Sequence, residues 1–271
     1  MTERFNSHLI AAFLSPERST ISNLICIGGR AELDWTADYR MYSKGRVNVD
    51  SLLDGALEQI TADLPPEHPA VFGVDDTICR KSGTHIPGVA WRRDPLGPAF
   101  HTNLVKAQRF LMFSGAYPIG DGSAQMIPVM FDHAPTVSKL PSKATDEEKV
   151  LWKIEQNAHK LSTRALCGMK EIVSKLGDRK VIFVGDGGYT NGEIVQNLPD
   201  ASSYIGRTRK DAKLYYPPSP EEYHGNGRPK IYGDRAPTPH ELYSNSDISG
   251  EEVTGYATGR KHQFRIKVKD D

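Results

Sequence analysis

The chain has 271 residues, enough for one large domain or two small ones. Hydrophobic residues make up 38% and charged residues 25%, which excludes a disordered chain, and no apolar run approaches the roughly 20 residues of a membrane span. Basic and acidic residues both number 34, so net charge does not advertise nucleic-acid binding; residues 1–70 hold six Lys/Arg against ten Asp/Glu, which assigns any DNA-binding surface to the later part of the chain. Cys26, Cys79 and Cys167 lie far apart, a pattern that fits a reducing compartment and not a disulfide framework or a zinc site. The opening MTERFNSHLIAAFL has mixed charge and no cleavage-type ending, so it does not read as a signal peptide.

Residues 1–66 read as a helical region. In NVDSLLDGALEQI (48–60), Leu52, Leu53, Ala56, Leu57 and Ile60 share one helical face, with Asn48 or Asp50 as cap. LPPEHP (64–69) stops the helix and marks a boundary. AVFGVD (70–75), NLVKAQRFLMFSG (103–115) and SAQMIPVMF (123–131) then read as three strands of an antiparallel meander. TDEE (145–148) is a capping box, and Leu151, Ile154, Ala158, Leu161, Ala165, Met169, Ile172 and Leu176 form one stripe, which predicts a single long helix ending at Gly177. KVIFVGD (180–186) reads as a buried strand, GYTNGEIVQNL as a short helix and ASSYIGR (201–207) as another strand. Residues 213–271 read as a proline- and glycine-rich insertion, with an edge strand over HQFRIKVKD (262–270) at its end. The expected core, 67–212, is thus an α/β mixed sheet of three antiparallel strands, a long helix and parallel strands.

Two strands end on acids. VIFVGDGGYTN (181–191) runs into Asp186, and AVFGVDDTICRKSG (70–83) into Asp75 and Asp76. A strand–helix–strand crossover lays the later strand parallel to an earlier one, with both carboxyl ends at one edge. Carboxylates gathered there repel unless a cation sits between them. Mg²⁺ suits such a site, and a pair of ions clamps the attacking and leaving oxygens of a phosphodiester. The ordinary alternative is an aspartate that caps a helix or forms a turn.

Three blocks carry a resemblance: STISNLICIGGRAELDWTADYRMYSKGRVNVDSLLDGAL (19–57), VDDTICRKSG (74–83) and VIFVGDGGYTN (181–191). Together, and in this order, they resemble insertion-sequence transposases of the DDE superfamily, and YIGRTRKDAKLYYPP (204–218) resembles the next strand of those proteins and its proline-rich exit. The resemblance implies a ribonuclease H-like catalytic domain that cleaves DNA at transposon ends and transfers the strand to target DNA. It makes Asp76 similar to the first catalytic acid, with Asp75 as the close alternative, and Asp186 similar to the second; Asp76 and Asp186 would hold two Mg²⁺ ions, for which Mn²⁺ can substitute. It further implies DNA as partner, a homodimer through synapsis of two ends, no membrane, and a cytoplasmic, nucleoid-associated location.

The family's third acid is a Glu on a helix beyond the insertion. Glu193, Glu221, Glu222, Glu241, Glu251 and Glu252 come after Asp186, and none sits in that helix pattern. The expectation is therefore a chain that lacks the C-terminal part of the domain and whose activity is in question. Arg207, Arg209, Lys210 and Lys213 cluster with only Asp211 opposing, and they suit DNA phosphates as well as a solvated strand end. Lys81, five residues past Asp76, is favoured as a phosphate contact by the resemblance. GRPK (227–230) is a weak minor-groove signal. Trp91–Arg92–Arg93 suits stacking on a flipped base, though packing is the simpler role for the tryptophan. GDGG (185–188) lacks the Lys-Ser/Thr of a phosphate loop. Two other classes compete with the transposase reading: a non-catalytic DNA-binding remnant, and a small-molecule phosphatase, which does not account for the first block or the basic strip.

Overall fold

The structure, a computed structural model, describes residues 2–16, 18–83, 85–98, 100–120, 122–219, 231–257 and 260–268. It divides into two compact units, Met1–Gly55 and Ala56–Asp271.

The first unit holds α1 (Thr2–Leu14), α2 (Ile21–Ile27) and α3 (Thr36–Ser43). Thr20 caps α2 by accepting the Asn23 N–H, and Ala11, Leu24, Ile25 and Met41 are buried. Asp38, 1% exposed, ties the helices together. Its Oδ1 lies 3.0 Å from His8 Nε2, 3.1 Å from Arg4 Nε and 3.7 Å from Arg30 Nε, while His8 Nδ1 meets the Tyr42 hydroxyl at 2.9 Å. A carboxylate this deep is tolerable because cations surround it.

α4 (Val49–Asp63) begins where Asn48 accepts the Ser51 N–H. The division between units falls inside α4, at Gly55/Ala56, and not at the expected 66/67. The reason is burial, since Leu57, Ile60 and Leu64 of its second half belong to the core of the sheet.

The sheet is mixed. β1 (Ala70–Arg80) pairs antiparallel with β3 (Leu104–Ile119), and β3 pairs antiparallel with both β2 (Ala90–Arg93) and β4 (Ser123–His133). β1 also pairs parallel with β5 (Val181–Gly185), which pairs parallel with β6 (Ser202–Gly206). The meander is therefore present, with β2 as an added short edge. Pro128 in β4 is accommodated by a register shift at Phe113/Ser114, the kind of irregularity that tolerates a missing N–H. Phe72, Phe113 and Phe183, from three adjacent strands, are fully buried with ring centroids 6.1 and 6.2 Å apart.

The expected single helix is two: α5 (Asp146–Ala158) and α6 (Leu161–Leu176), separated where Lys160 takes an extended conformation. The apolar stripe crosses the break, but only the α6 part is buried, through Ala165, Met169 and Ile172; Leu151 and Ile154 on α5 are 66% and 61% exposed. Periodicity reports a face and not continuity, and nothing buried holds α5 in line with α6. The Thr145–Glu148 capping box and the Gly177 stop, at φ +60°, stand as expected.

Beyond β6, β7 (Leu214–Tyr215) pairs with β8 (Arg235–Ala236), and Thr238 caps α8 (Pro239–Ser244). β9 (Gly250–Ala257) and β10 (Arg260–Lys267) form a separate antiparallel hairpin, so the expected edge strand is one arm of it and is not part of the main sheet. Glycine sets how closely α6 approaches: a Cβ on Gly168 would lie 2.5 Å from Phe113 Cε2 and 3.0 Å from Met130 Sδ. Gly168→Ala should therefore destabilise by about 1–2 kcal/mol despite the gain of about 1 kcal/mol in helix propensity. Urea unfolding checks this.

Candidate active site

The site begins with register. Ala70 to Val74 of β1 lie opposite Val181 to Gly185 of β5, and the last pair is Val74 with Gly185. Carried one step further, this register sets Asp75 beside Asp186 at the carboxyl edge, with Asp76 next along β1. Burial changes at the same point: Ala70, Phe72 and Val74 are buried, Asp75 and Asp186 are exposed, and Asp76 is half-buried. Thus about 110 residues of intervening chain bring three carboxylates to one end of two neighbouring strands.

After Asp186 the chain folds tightly. Asp186 Oδ1 accepts the Gly188 N–H at 2.8 Å, and its carbonyl accepts the N–H groups of Tyr189 and Thr190 and the Thr190 hydroxyl. Gly185 leaves room for the side chains around it: a Cβ there would lie 2.3 Å from the Tyr204 hydroxyl, 3.1 Å from Val74 Cγ1 and 3.2 Å from Tyr189 Cβ. The turn delivers Tyr189 inward, where it is 3% exposed, and its hydroxyl donates to Asp76 Oδ1 at 3.0 Å. Burial, then Asp76, then Asp75 and Asp186 hold the phenol far above the usual tyrosine range, so it remains a neutral donor. One tyrosine thus senses all three aspartates. Asp75 Oδ1 is occupied by the N–H of Asp76 at 2.8 Å.

Asn191 caps α7 (Gly192–Val195) by accepting the Ile194 N–H, and Ile194 is buried in the core. Glu193 accepts from Ser162 and from Thr163, at 2.6 Å for the latter, which ties α7 to the start of α6. Glu193 is therefore committed to holding the turn. Glu241 sits in the α8 capping box and Glu251 and Glu252 in β9, while Glu221 and Glu222 lie outside the described residues.

The expected DNA contacts divide. The Arg207 N–H donates to the Gly185 carbonyl at 3.3 Å, which keeps the segment after β6 next to Asp186. Gly187, Thr190 and Arg207–Ala212 line an open cleft of about 890 Å³, which includes Arg209 and Lys210. Arg209 is paired with Asp211 through two hydrogen bonds of 3.0 and 2.9 Å. Lys81 comes directly after β1, its N–H bonded to the Lys106 carbonyl, and among the described residues its side chain makes no ion pair. Trp91 is 65% exposed, with Lys106 Nζ 5.5 Å above its ring, so it does not pack in a core. GRPK lies outside the described residues. Sequence reasoning missed Tyr189, three residues after the strand-end Asp186. Arg109, on β3 two residues from Leu111, the strand partner of Asp76, was not singled out either.

Aspartate oxygens suit a hard divalent cation, and Asp76 and Asp186 each keep one oxygen without a hydrogen bond among the described residues. They offer a partial shell only: among the described residues no group of three His, Cys, Asp or Glu is arranged to hold a metal ion. Among them, no helix is long and apolar enough to cross a membrane.

The site is thus an acidic cluster at the ends of adjacent parallel strands in a mixed α/β sheet. The chain belongs to the DDE superfamily endonucleases, whose family model matches residues 2–268 as a DDE-type transposase domain. The match includes residues 213–268, beyond the expected core of 67–212. Nuclease or transposase chemistry in general, with DNA as substrate, comes with that membership, and such nucleases generally use divalent metal ions. Comparison with curated proteins and with solved structures gave no match.

The turn yields two expected outcomes. Tyr189→Phe should cost about 1.5–3 kcal/mol, since the lost bond is to a charged group, and a double-mutant cycle with Asp76→Ala in denaturant unfolding should return a coupling of about 1–2 kcal/mol. Glu193 is held below the ordinary glutamate value of 4.5 by Ser162, then Thr163. A depressed folded value means the contribution is complete above the unfolded value and fades as pH falls through the folded one. Glu193→Gln should therefore lower stability by about 1 kcal/mol at neutral pH, and thermal melts should show that gap closing at acid pH.

Proposed function

We propose that this chain is a transposase with a ribonuclease H-like catalytic domain. It cleaves a phosphodiester at each transposon end and joins the freed 3′ hydroxyl to target DNA. The observation that carries this reading is the parallel β1–β5 register, which ends at Val74 and Gly185 and so leaves Asp75, Asp76 and Asp186 together just past one strand edge, with Tyr189 of the Asp186 turn bonded to Asp76. The flanking order supports it: antiparallel β3 on one side of β1, and parallel β5 and β6 on the other.

In this reading Asp76 and Asp186 hold Mg²⁺, or Mn²⁺ in its place, with Asp75 as the alternative first ligand. The chemistry a bound metal pair supplies is activation of the attacking oxygen and neutralisation of charge building on the phosphate. Tyr189 fixes Asp76 through one oxygen and leaves the other for a ligand. The turn bond from Gly188 does the same for Asp186. Arg207, Arg209 and Lys210 grip backbone phosphates along the cleft beside Asp186, and Arg209 exchanges Asp211 for phosphate as DNA arrives. Lys81 holds the strand on the Asp76 side. Two copies of the chain bring two ends together as a homodimer.

A second reading, a DNA-binding remnant without chemistry, rests on one observation: among the described residues no third ligating side chain joins the aspartates. Cleavage of a duplex bearing the transposon end separates the two. The first reading expects nicking in Mg²⁺ that falls roughly a hundredfold or more in Asp76→Asn and in Asp186→Asn, about 3 kcal/mol in the barrier, with DNA affinity retained. Undiminished cleavage in either variant refutes the assignment. Equal binding with and without Mg²⁺, and no nicking by the unaltered chain, supports the second reading.

A further inference from the structure

Two arginines on strands beside Asp76 are, among the described residues, not committed to any carboxylate. Strand alternation sets Asp76, Arg109 and Arg92 on one face of the sheet: Asp76 lies opposite Leu111, Arg109 is two residues from Leu111 on β3, and Arg92 of β2 lies opposite Val105. Neighbouring guanidiniums on this side have partners. Arg80 is bonded to the buried Asp94, and Arg164 from α6 forks onto both oxygens of Asp132. Arg92 and Arg109 differ. Among the described residues Arg92 makes one hydrogen bond, from Nε to the Ala107 carbonyl at 3.3 Å, and its Nη2 is buried with no partner. Arg109 makes no side-chain hydrogen bond or ion pair among the described residues, and its Nε is buried with no partner. The remaining terminal nitrogens of both half-buried side chains are thus the atoms open to a ligand.

This arrangement works against folding. Two partly buried cations repel, and each unpaired N–H forfeits its water without replacement. Burial and Arg109 together lower the Arg92 pKa, with Asp76 opposing. Neither arginine closes onto Asp76 as an ion pair, so that carboxylate remains available to a ligand of its own. Paired guanidinium forks match the two non-bridging oxygens of a phosphate, which a lysine would meet only as a point charge.

We infer that Arg92 and Arg109 form a binding site for a backbone phosphate of the DNA strand that lies against Asp76. The site adds a clamp on the Asp76 side of the carboxylates, opposite the cleft lined by Arg207, Arg209 and Lys210. It rests on the reading of Asp76 as the cutting edge, but it is measured without cutting.

The experiment is fluorescence-anisotropy titration of a labelled duplex, without divalent metal, over a series of salt concentrations. Arg92→Met and Arg109→Met keep the apolar stem and remove the charge. Each should weaken binding about fivefold to twentyfold at low salt and reduce the slope of log K against log salt by about one. Thermal midpoints should equal or exceed that of the unaltered chain, because an unpaired buried cation has been removed; a residue with a merely structural role would lower them. If a methionine variant does not fold, the corresponding Arg→Gln variant carries the test. Wild-type affinity and slope in the folded variants would overturn the proposal. Release of the duplex by millimolar inorganic phosphate, at matched ionic strength, would overturn the assignment to DNA backbone in favour of a free-phosphate site. A chain that never nicks DNA in Mg²⁺ but shows the slope change keeps this site and loses the nuclease reading. One that nicks DNA while the variants keep the wild-type slope loses this site alone.

Discussion

The parallel pairing of β1 with β5 is the constraint on which the site depends. It needs only five residue pairs, Ala70–Val74 with Val181–Gly185, but it decides where each strand ends. A shift of one residue would turn every β5 side chain to the other face, with Phe183 leaving the core and Asp186 leaving the edge. Burial of Phe72, Val74, Val181 and Phe183 makes that slip costly. The apolar packing that stabilises the sheet is therefore also what aligns the aspartates.

Charge is distributed around that edge in an ordered way. Negative groups cluster at the strand ends and, among the described residues, are restrained by neutral donors, the Tyr189 hydroxyl and the Gly188 N–H, and not by ion pairs. A cation bonded to Asp76 or Asp186 would compete with a metal; a neutral donor orients the carboxylate without cancelling its charge. The arginines stand one step away, Arg92 and Arg109 on one side and Arg207 and Arg209 on the other. An anionic strand bound across both sets would pass the carboxylates between them.

Much of this was legible in the sequence, because short apolar runs ending on acids are hard to mistake. Asp75, Asp76 and Asp186 could be named before their strands were paired, and the crossover argument gave their shared edge. Other features were hidden for identifiable reasons. AWRR of β2 has too few apolar residues to register as a strand, so Arg92 reads as part of a loop. The stripe along α5 and α6 stays in phase across His159 and Lys160, and a hydrophobic pattern cannot report a break that keeps phase. β9, with its GEEVTGYA, offers little alternation, so only its partner β10 stands out. Tyr189 was hidden by its type, since a tyrosine after a glycine turn looks like surface until the fold shows that it points back to Asp76.

The close fit at Gly168 reaches further than the core. That fit sets the height of α6 over β3 and so positions Ser162 and Thr163, which grip Glu193 and with it α7 and the turn after Asp186. Lifting the helix by even a methyl group would be transmitted along this series of contacts, like a shim under one leg of a tripod. The seating of the Asp186 turn should therefore be sensitive to the thickness of a single side chain on a helix that does not itself carry an aspartate of the site.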